Sequence, residues 1–245
     1  MQIVMNFSNG KRRTSPVVAK AEPPVEQRET NLARRAEIGE MKRARTRTSL
    51  IQAAVRVLGS EQGRLATVDS VISEAGISRG TFYNYFEGRD QLLSAVGFEL
   101  MHDFNSSVRD SLENESNVTL RTAQWTRHYL HRFRSDANWG WAVVNVSLSG
   151  PHLLAEETRQ LTLANLEAGI ATNDFRVPNV QAVLDFGWGS VLAAAITILH
   201  GEAPPDYPEQ VCLLILRALG VAERKAFHAV SAPLHELPAL LQSAE

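Results

Sequence analysis

Arg79, Gly80, Thr81, Tyr83, Asn84 and Tyr85 stand almost side by side in the run SRGTFYNYFEGR, residues 78–89. An arginine offers two parallel N–H donors to guanine O6 and N7, and an asparagine can address adenine. Thr81 brings a methyl group for thymine and a hydroxyl, and Gly80, lacking a side chain, lets the backbone approach a surface closely. The phenol hydroxyls of Tyr83 and Tyr85 suit phosphate oxygens, contacts that position a protein on a duplex without reading it. Arg89 follows a glycine at the expected start of a helix, where free N–H groups and the helix dipole already favour an anion. The run fits a duplex-DNA reader, with Arg79, Gly80, Thr81 and Asn84 toward base edges and Tyr83, Tyr85 and Arg89 toward phosphates.

Short helices must hold these side chains in place. Thr67 has the chemistry of an N-cap for a helix over Val68–Ala75, whose Val68, Val71 and Ile72 point inward. Gly76 supplies a turn that needs positive φ, and Ile77 plugs the angle between helices. Ser78 caps the next helix, Arg79–Phe86, which Ile77, Phe82 and Phe86 anchor inward. Gly88 ends it, and Leu93, Val96, Leu100, Phe104 and Val108 carry a helical stripe through the long segment from Arg89. Upstream, from Lys42, Leu50, Ala53, Ala54, Val57 and Leu58 form another stripe, which Gly63 closes. The arrangement is a helix-turn-helix, whose second helix fits a major groove. Such geometry also occurs as plain packing, but the second helix here is too short to need two tyrosines, Arg79, Asn84 and Arg89 for burial.

Thr67–Leu93 closely resembles the DNA-binding domain of the tetracycline-repressor (TetR/AcrR) family. The resemblance rests on Ala53-Ala54, Gly63, Thr67-Val68, Ala75-Gly76-Ile77-Ser78, Gly80-Thr81-Phe82-Tyr83, Tyr85-Phe86 and Arg89-Asp90-Gln91-Leu92-Leu93, over roughly residues 43 to 96. It implies base contacts at Arg79, Gly80, Thr81 and Asn84. It implies phosphate contacts at Thr67, Ser78, Tyr83, Tyr85 and Arg89. It further implies a dimer of nine-helix-type subunits that blocks a promoter until a ligand enters the C-terminal body. Arg89 stands where the family usually has lysine, and the long leader is a second departure.

The expected fold class is all-α: an N-terminal three-helix helix-turn-helix domain and a C-terminal helical ligand-binding and dimerisation domain. The divisions expected are a flexible basic extension over residues 1–40, the DNA-binding domain over 41–90, the effector-binding and dimerisation domain over 91–222, and a tail over 223–245. Helices are expected over Thr119–Arg134, Ala137–Leu148, Leu153–Ala171, Val180–His200 and Pro208–Leu219. Gly201 and Gly220 suit helix ends and Pro208 a first turn. Gly187, Gly189, Ser190, Ala193, Ala194 and Ala195 let another helix come close to Val180–His200. With Leu213, Leu214, Leu216 and Leu219 they point to a four-helix bundle across a two-fold axis, or else to a core pair within one chain. All four tryptophans lie in the body. Trp125, Tyr129, Phe133, Trp139, Trp141 and Trp188 are the candidate lining of an effector pocket, with ordinary core packing as the alternative.

The 245 residues are 44% apolar and 21% charged, with a net charge of −2. Basic residues outnumber acidic ones up to Arg47, so the remainder is net acidic and positive charge is presented on one side. The first forty residues read as a solvated tail or as a basic arm lying along DNA. A single cysteine, Cys212 in an apolar run, suits a reducing cytoplasm and a buried small hydrophobe. No apolar secretory core is visible near Met1, and the apolar run Val191–Leu199 is shorter than the ~20 residues of a membrane span.

No catalytic residues, cofactor or metal are expected. Glu99 and His102 make one Glu-x-x-His without a second, His128 and His131 lack completing ligands, and no phosphate loop or nucleophile elbow is present. The partners expected are a double-stranded DNA operator, a second copy of the chain and an unidentified small-molecule effector. The competing readings are a DNA-bound interaction or chromosome-organising factor without an effector, and a helical enzyme or metal bundle carrying an incidental helix-turn-helix.

Overall fold

The computed structural model describes residues 25–150 and 156–237. Those residues form ten α-helices and one short 3-10 turn, with no strand among them. Helix α1 spans Val25–Leu58 and begins well before Lys42. Residues 25–40, expected in a flexible extension, are therefore helical, and residues 1–24 lie outside the described part. The reason is local. Glu, Arg, Ala and Gln make up most of residues 25–40, and such residues favour a helix even where no apolar stripe is buried. Residues 34–44 are exposed, which is why no apolar periodicity marks them.

Packing divides the chain inside α1, between Ala44 and Arg45. The second unit, from Arg45 onward, holds every site discussed below. Leu50, Ala53, Ala54 and Leu58 give it the buried face of α1. Helix α2 (Val68–Ala75) starts at a capping box, in which Thr67 Oγ1 accepts from Ser70 N at 3.2 Å and Ser70 Oγ accepts from Thr67 N at 2.9 Å. It ends at Gly76, which sits at φ 65° as a left-handed C-cap. Helix α3 covers only Arg79–Tyr83, shorter than the sequence implied. A turn follows, with Tyr85 N and Phe86 N both donating to Phe82 O.

Helix α4 (Arg89–Ser111) buries one face over its whole length, through Leu93, Val96, Leu100, Phe104 and Val108. The core consequently continues from α1 and α3 into the body, and the division expected near residue 90 is not a break in packing. In helix α6 (Ala137–Ser149), Asn145 Nδ2 donates to the carbonyls of Leu58 and Ser60, both at 2.8 Å. Leu58 O lies at the open end of α1, and Ser60 O, just beyond it, also accepts from Gly63 N at 2.9 Å.

Helix α5 (Val118–Ser135) is the hub of the body. It packs against α6, α7 (Glu156–Ala171), α8 (Val180–Leu199), α9 (Tyr207–Ala218) and α10 (Glu223–Ser231). Helix α10 corrects the expected tail. Ala226, Ala229 and Val230 form an i, i+3, i+4 stripe buried against α5 and α9. Beyond it Gln124 Nε2 donates to Pro233 O at 2.7 Å, Arg127 Nη1 to Ala232 O at 2.7 Å and His235 N to Gln124 Oε1 at 3.0 Å. Two polar side chains buried in α5 are thus satisfied by the segment that follows α10.

Helix α8 meets the length and composition of a membrane-crossing helix, which the shorter run Val191–Leu199 had not implied. Leu184, Ala194, Ala195 and Ile198 are buried in the bundle, while Ala182, Phe186, Gly189 and Ala193 lie exposed at i, i+4, i+7 and i+11. On α9, Leu214 is 65% exposed, whereas Leu216, with Leu219 just past the helix end, belongs to the chain's own core.

Candidate functional site

Helix α3 presents its outer surface because its inner one is used up. Phe82 is fully buried, edge-on to Tyr83 and tilted against Phe86, and these contacts fix the helix axis. Arg79, Gly80, Tyr83 and Asn84 are exposed, and Thr81 is half-buried. Tyr83 is 53% exposed although it is a large aromatic residue. Ser78 Oγ caps α3 by accepting from Thr81 N at 3.1 Å, and its hydroxyl meets that of Thr81 at 2.8 Å. A Cβ added at Gly80 would meet nothing nearer than Ser78 Oγ at 3.9 Å, so the open space there belongs to the surface and not to packing.

Two of the expected contacts are already engaged within the chain. The Arg79 guanidinium grips both carboxylate oxygens of Asp69 on α2, at 2.5 and 2.6 Å. Hydrogen bonding to Asp69 and its charge hold Arg79 above its usual pKa. Arg89 Nη2 donates to Ser149 Oγ at 3.1 Å, at the last residue of α6. Tyr85 is less exposed than the sequence implies. It was expected to face outward, but α3 stops at Tyr83, and the turn that follows carries Tyr85 half-buried against the core. Thr67 and Ser78 are exposed caps at the starts of α2 and α3.

The body contains a cavity of about 380 Å³, bounded mainly by α5, α7, α8 and α6. Trp125, Tyr129 and Phe133 from α5 and Trp188 from α8 line it. Trp139 and Trp141 do not. Trp139 lies one turn before the lining residue Val143 and backs the wall instead, packed on Tyr129, Phe133 and Phe104, with Nε1 donating to Leu100 O at 2.9 Å. Arg132 sits over its ring at 4.3 Å. Trp141, two residues on, points elsewhere around α6 and meets His200 edge-on. The Tyr129 hydroxyl turns to Met101 Sδ at 3.0 Å, and burial holds its pKa above the usual phenol range.

The polar lining was missed in the sequence. Thr158, Thr162 and Asn165 recur at i, i+4 and i+7 on α7, and Arg121 and Thr122 face them from α5. A polar stripe on a helix that otherwise repeats Leu161, Ala164 and Leu166 was the available signal. Among the described residues no cluster of three or more metal-ligating side chains occurs. His128 is buried with Nε2 unpartnered, and burial together with the Arg127 charge pushes it down to about 4.

Residues 50–96 match the tetR family of bacterial regulatory proteins. The HTH-type transcriptional regulator BetI of Brucella canis is 27% identical, over 37% of this chain and 54% of its own length. The chain thus spans about half the length of the BetI relatives it matches. The crystal structure of RolR in complex with resorcinol is similar over 81% of this chain and 100% of its own, with 25% identity and a TM-score of 0.60. A TetR-family regulator from Marinobacter aquaeolei shares the fold, at 16% identity and a TM-score of 0.57, over 74% of this chain and 98% of its own.

Proposed function

Taking as premise that the chain belongs to the TetR family of regulators, we propose that it is a sequence-specific DNA-binding repressor. It acts in the cytoplasm as a homodimer on a near-palindromic operator and releases DNA when a small molecule enters the cavity. The observation that carries this reading is the outer row of α3. Arg79, Gly80 and Tyr83, with Asn84 as the C-cap, are exposed together on a helix whose buried side is already filled by Phe82. Arg79 and Asn84 read bases with Gly80 and Thr81 beside them, while Thr67, Ser78, Tyr83, Tyr85 and Arg89 hold phosphates. The exposed row Ala182, Phe186, Gly189 and Ala193 on α8, with Leu214 on α9, supports these two helices as the face shared with a second copy. By function the unit then divides into a DNA-binding part up to about residue 90 and an effector and dimerisation part beyond it. RolR, whose structure holds resorcinol, supports a small-molecule effector for the cavity.

The test is selection of bound genomic fragments by the wild-type chain and by Arg79→Ala with Tyr83→Phe, at two salt concentrations. The expected outcome is a palindromic consensus that the variant loses, with wild-type affinity falling steeply as salt rises. Equal weak binding by both proteins with no consensus refutes the proposal.

A further inference from the structure

We propose that the cavity is built for a small organic acid, a carboxylate carried on a one- or two-ring apolar body. This rests on the reading of the cavity as an effector site. Two guanidinium groups, Arg109 and Arg121, belong to the lining, and none of the lining residues is acidic. Their situations differ. Arg109 is 49% exposed, with Asp110 at 3.7 Å and Glu157 at 3.9 Å offsetting its charge from outside. Arg121 forms no ion pair among the described residues. Its Nε donates to Asn165 Oδ1 at 2.8 Å, and Asn165 Nδ2 donates on to Thr122 Oγ1 at 2.6 Å. This chain of bonds fixes Arg121 at the wall by one nitrogen and leaves its two terminal nitrogens for a guest.

The neutral polar groups agree with that polarity. Thr158 Oγ1 accepts from Asn105 Nδ2 at 2.9 Å, so this lining hydroxyl is held by a neutral amide. The Tyr129 phenol is turned away to Met101 Sδ. Thr122 and Thr162 give their protons to the carbonyls of Val118 and Thr158, so both hydroxyls are tied to their own helices and the lining's charge is left to the arginines. A planar fork of N–H donors against a carboxylate is the strongest pairing this lining can make, and it strengthens inside an apolar wall. Trp125, Phe133 and Trp188 supply faces for a flat apolar body, and a volume of about 380 Å³ suits a guest of one or two rings.

Calorimetry on the full chain without DNA tests this. The probes are benzoate, phenylacetate, 3-phenylpropanoate and 2-naphthoate, each against its own primary amide. At least one acid is expected to bind about tenfold or more tightly than its amide. Arg121→Gln should abolish that preference, and Arg121→Lys should retain part of it, because a point charge remains without the fork. Thermal melting of each variant separates lost binding from lost folding. If the amides bind as well as the acids, or if Arg121→Gln keeps the preference while folded, the acid assignment fails and the cavity reading stands. If neither acids nor amides bind, both fail.

Discussion

Thr67 is fixed by Ser70, Ser78 by Thr81 and Arg79 by Asp69, partners three to ten residues away. Around the cavity and on the opposite side of α5 the partners are distant: Arg121 with Asn165, Arg127 with Glu209 and Ala232, Gln124 with Pro233. The first region assembles its caps from neighbours, with Arg89 to Ser149 as its long-range bond, and leaves Tyr83 and Asn84 exposed. The second exists only when helices from opposite ends of the body have met. A surface made by local bonds changes one residue at a time, whereas a cavity wall made by long-range bonds shares the stability of the whole bundle.

The largest expected effect tests that dependence. Trp139→Ala removes the ring behind Tyr129 and Phe133 and the bond to Leu100 O, and should cost about 3–5 kcal/mol in urea unfolding. A loss below about 1 kcal/mol would show that the wall does not depend on what backs it.

Next is a dependence on pH. His128 lies at about 4 in the folded chain against an ordinary 6.5, so between those values the unfolded chain binds the extra proton. Stability is therefore complete above about pH 6.5 and falls as pH drops toward 4, by up to about 3 kcal/mol. His128→Gln should flatten unfolding free energies measured across this window. Glu209 acts in the same direction at lower pH. Burial alone would raise it, but hydrogen bonds from His131 and Arg127 hold it below the usual carboxylate range.

Smaller effects belong to the local region. Thr67→Ala removes one cap and should cost about 1 kcal/mol, read by the same unfolding experiment, with the calorimetric ligand response unchanged. A large change in ligand response would break the separation between the two regions. Smallest for folding is Gly80→Ala, which gains helix propensity and meets no atom within 3.8 Å, so stability should hold or rise by up to about 1 kcal/mol. Electrophoretic mobility shift should nonetheless show weaker binding to the selected operator. Unchanged DNA binding would show that no duplex surface comes close to Gly80.

The same contrast explains what could be read beforehand. Caps, the turn at Gly76 and the buried Phe82 depend on residues a few positions apart, and the sequence displays such spacings directly. Tyr85 escaped because the end of α3 is set by a turn and not by an apolar stripe. Trp139 and Trp141 could not be placed, since which side of α6 meets the cavity depends on how α5, α7 and α8 assemble. Arg121 gave no signal of its own; its role appears only once Asn165 stands opposite. The apolar stripe Ala226, Ala229 and Val230 was visible, but it is short and set among charges, and only its burial against α5 distinguishes it from a tail.

The bonds from α5 to the segment after α10 also set a schedule for synthesis. Arg127 and Ala232 are 105 residues apart. At about 5–20 residues per second, the ribosome adds Ala232 roughly 5–20 s after Arg127. During that interval the hub helix of the body holds an arginine and a glutamine without their final acceptors, while the segment Thr67–Tyr83 already has every residue its caps require. A chain interrupted before residue 223 would carry completed caps at α2 and α3 on a body whose hub helix lacks its last partners, a product for quality control to remove.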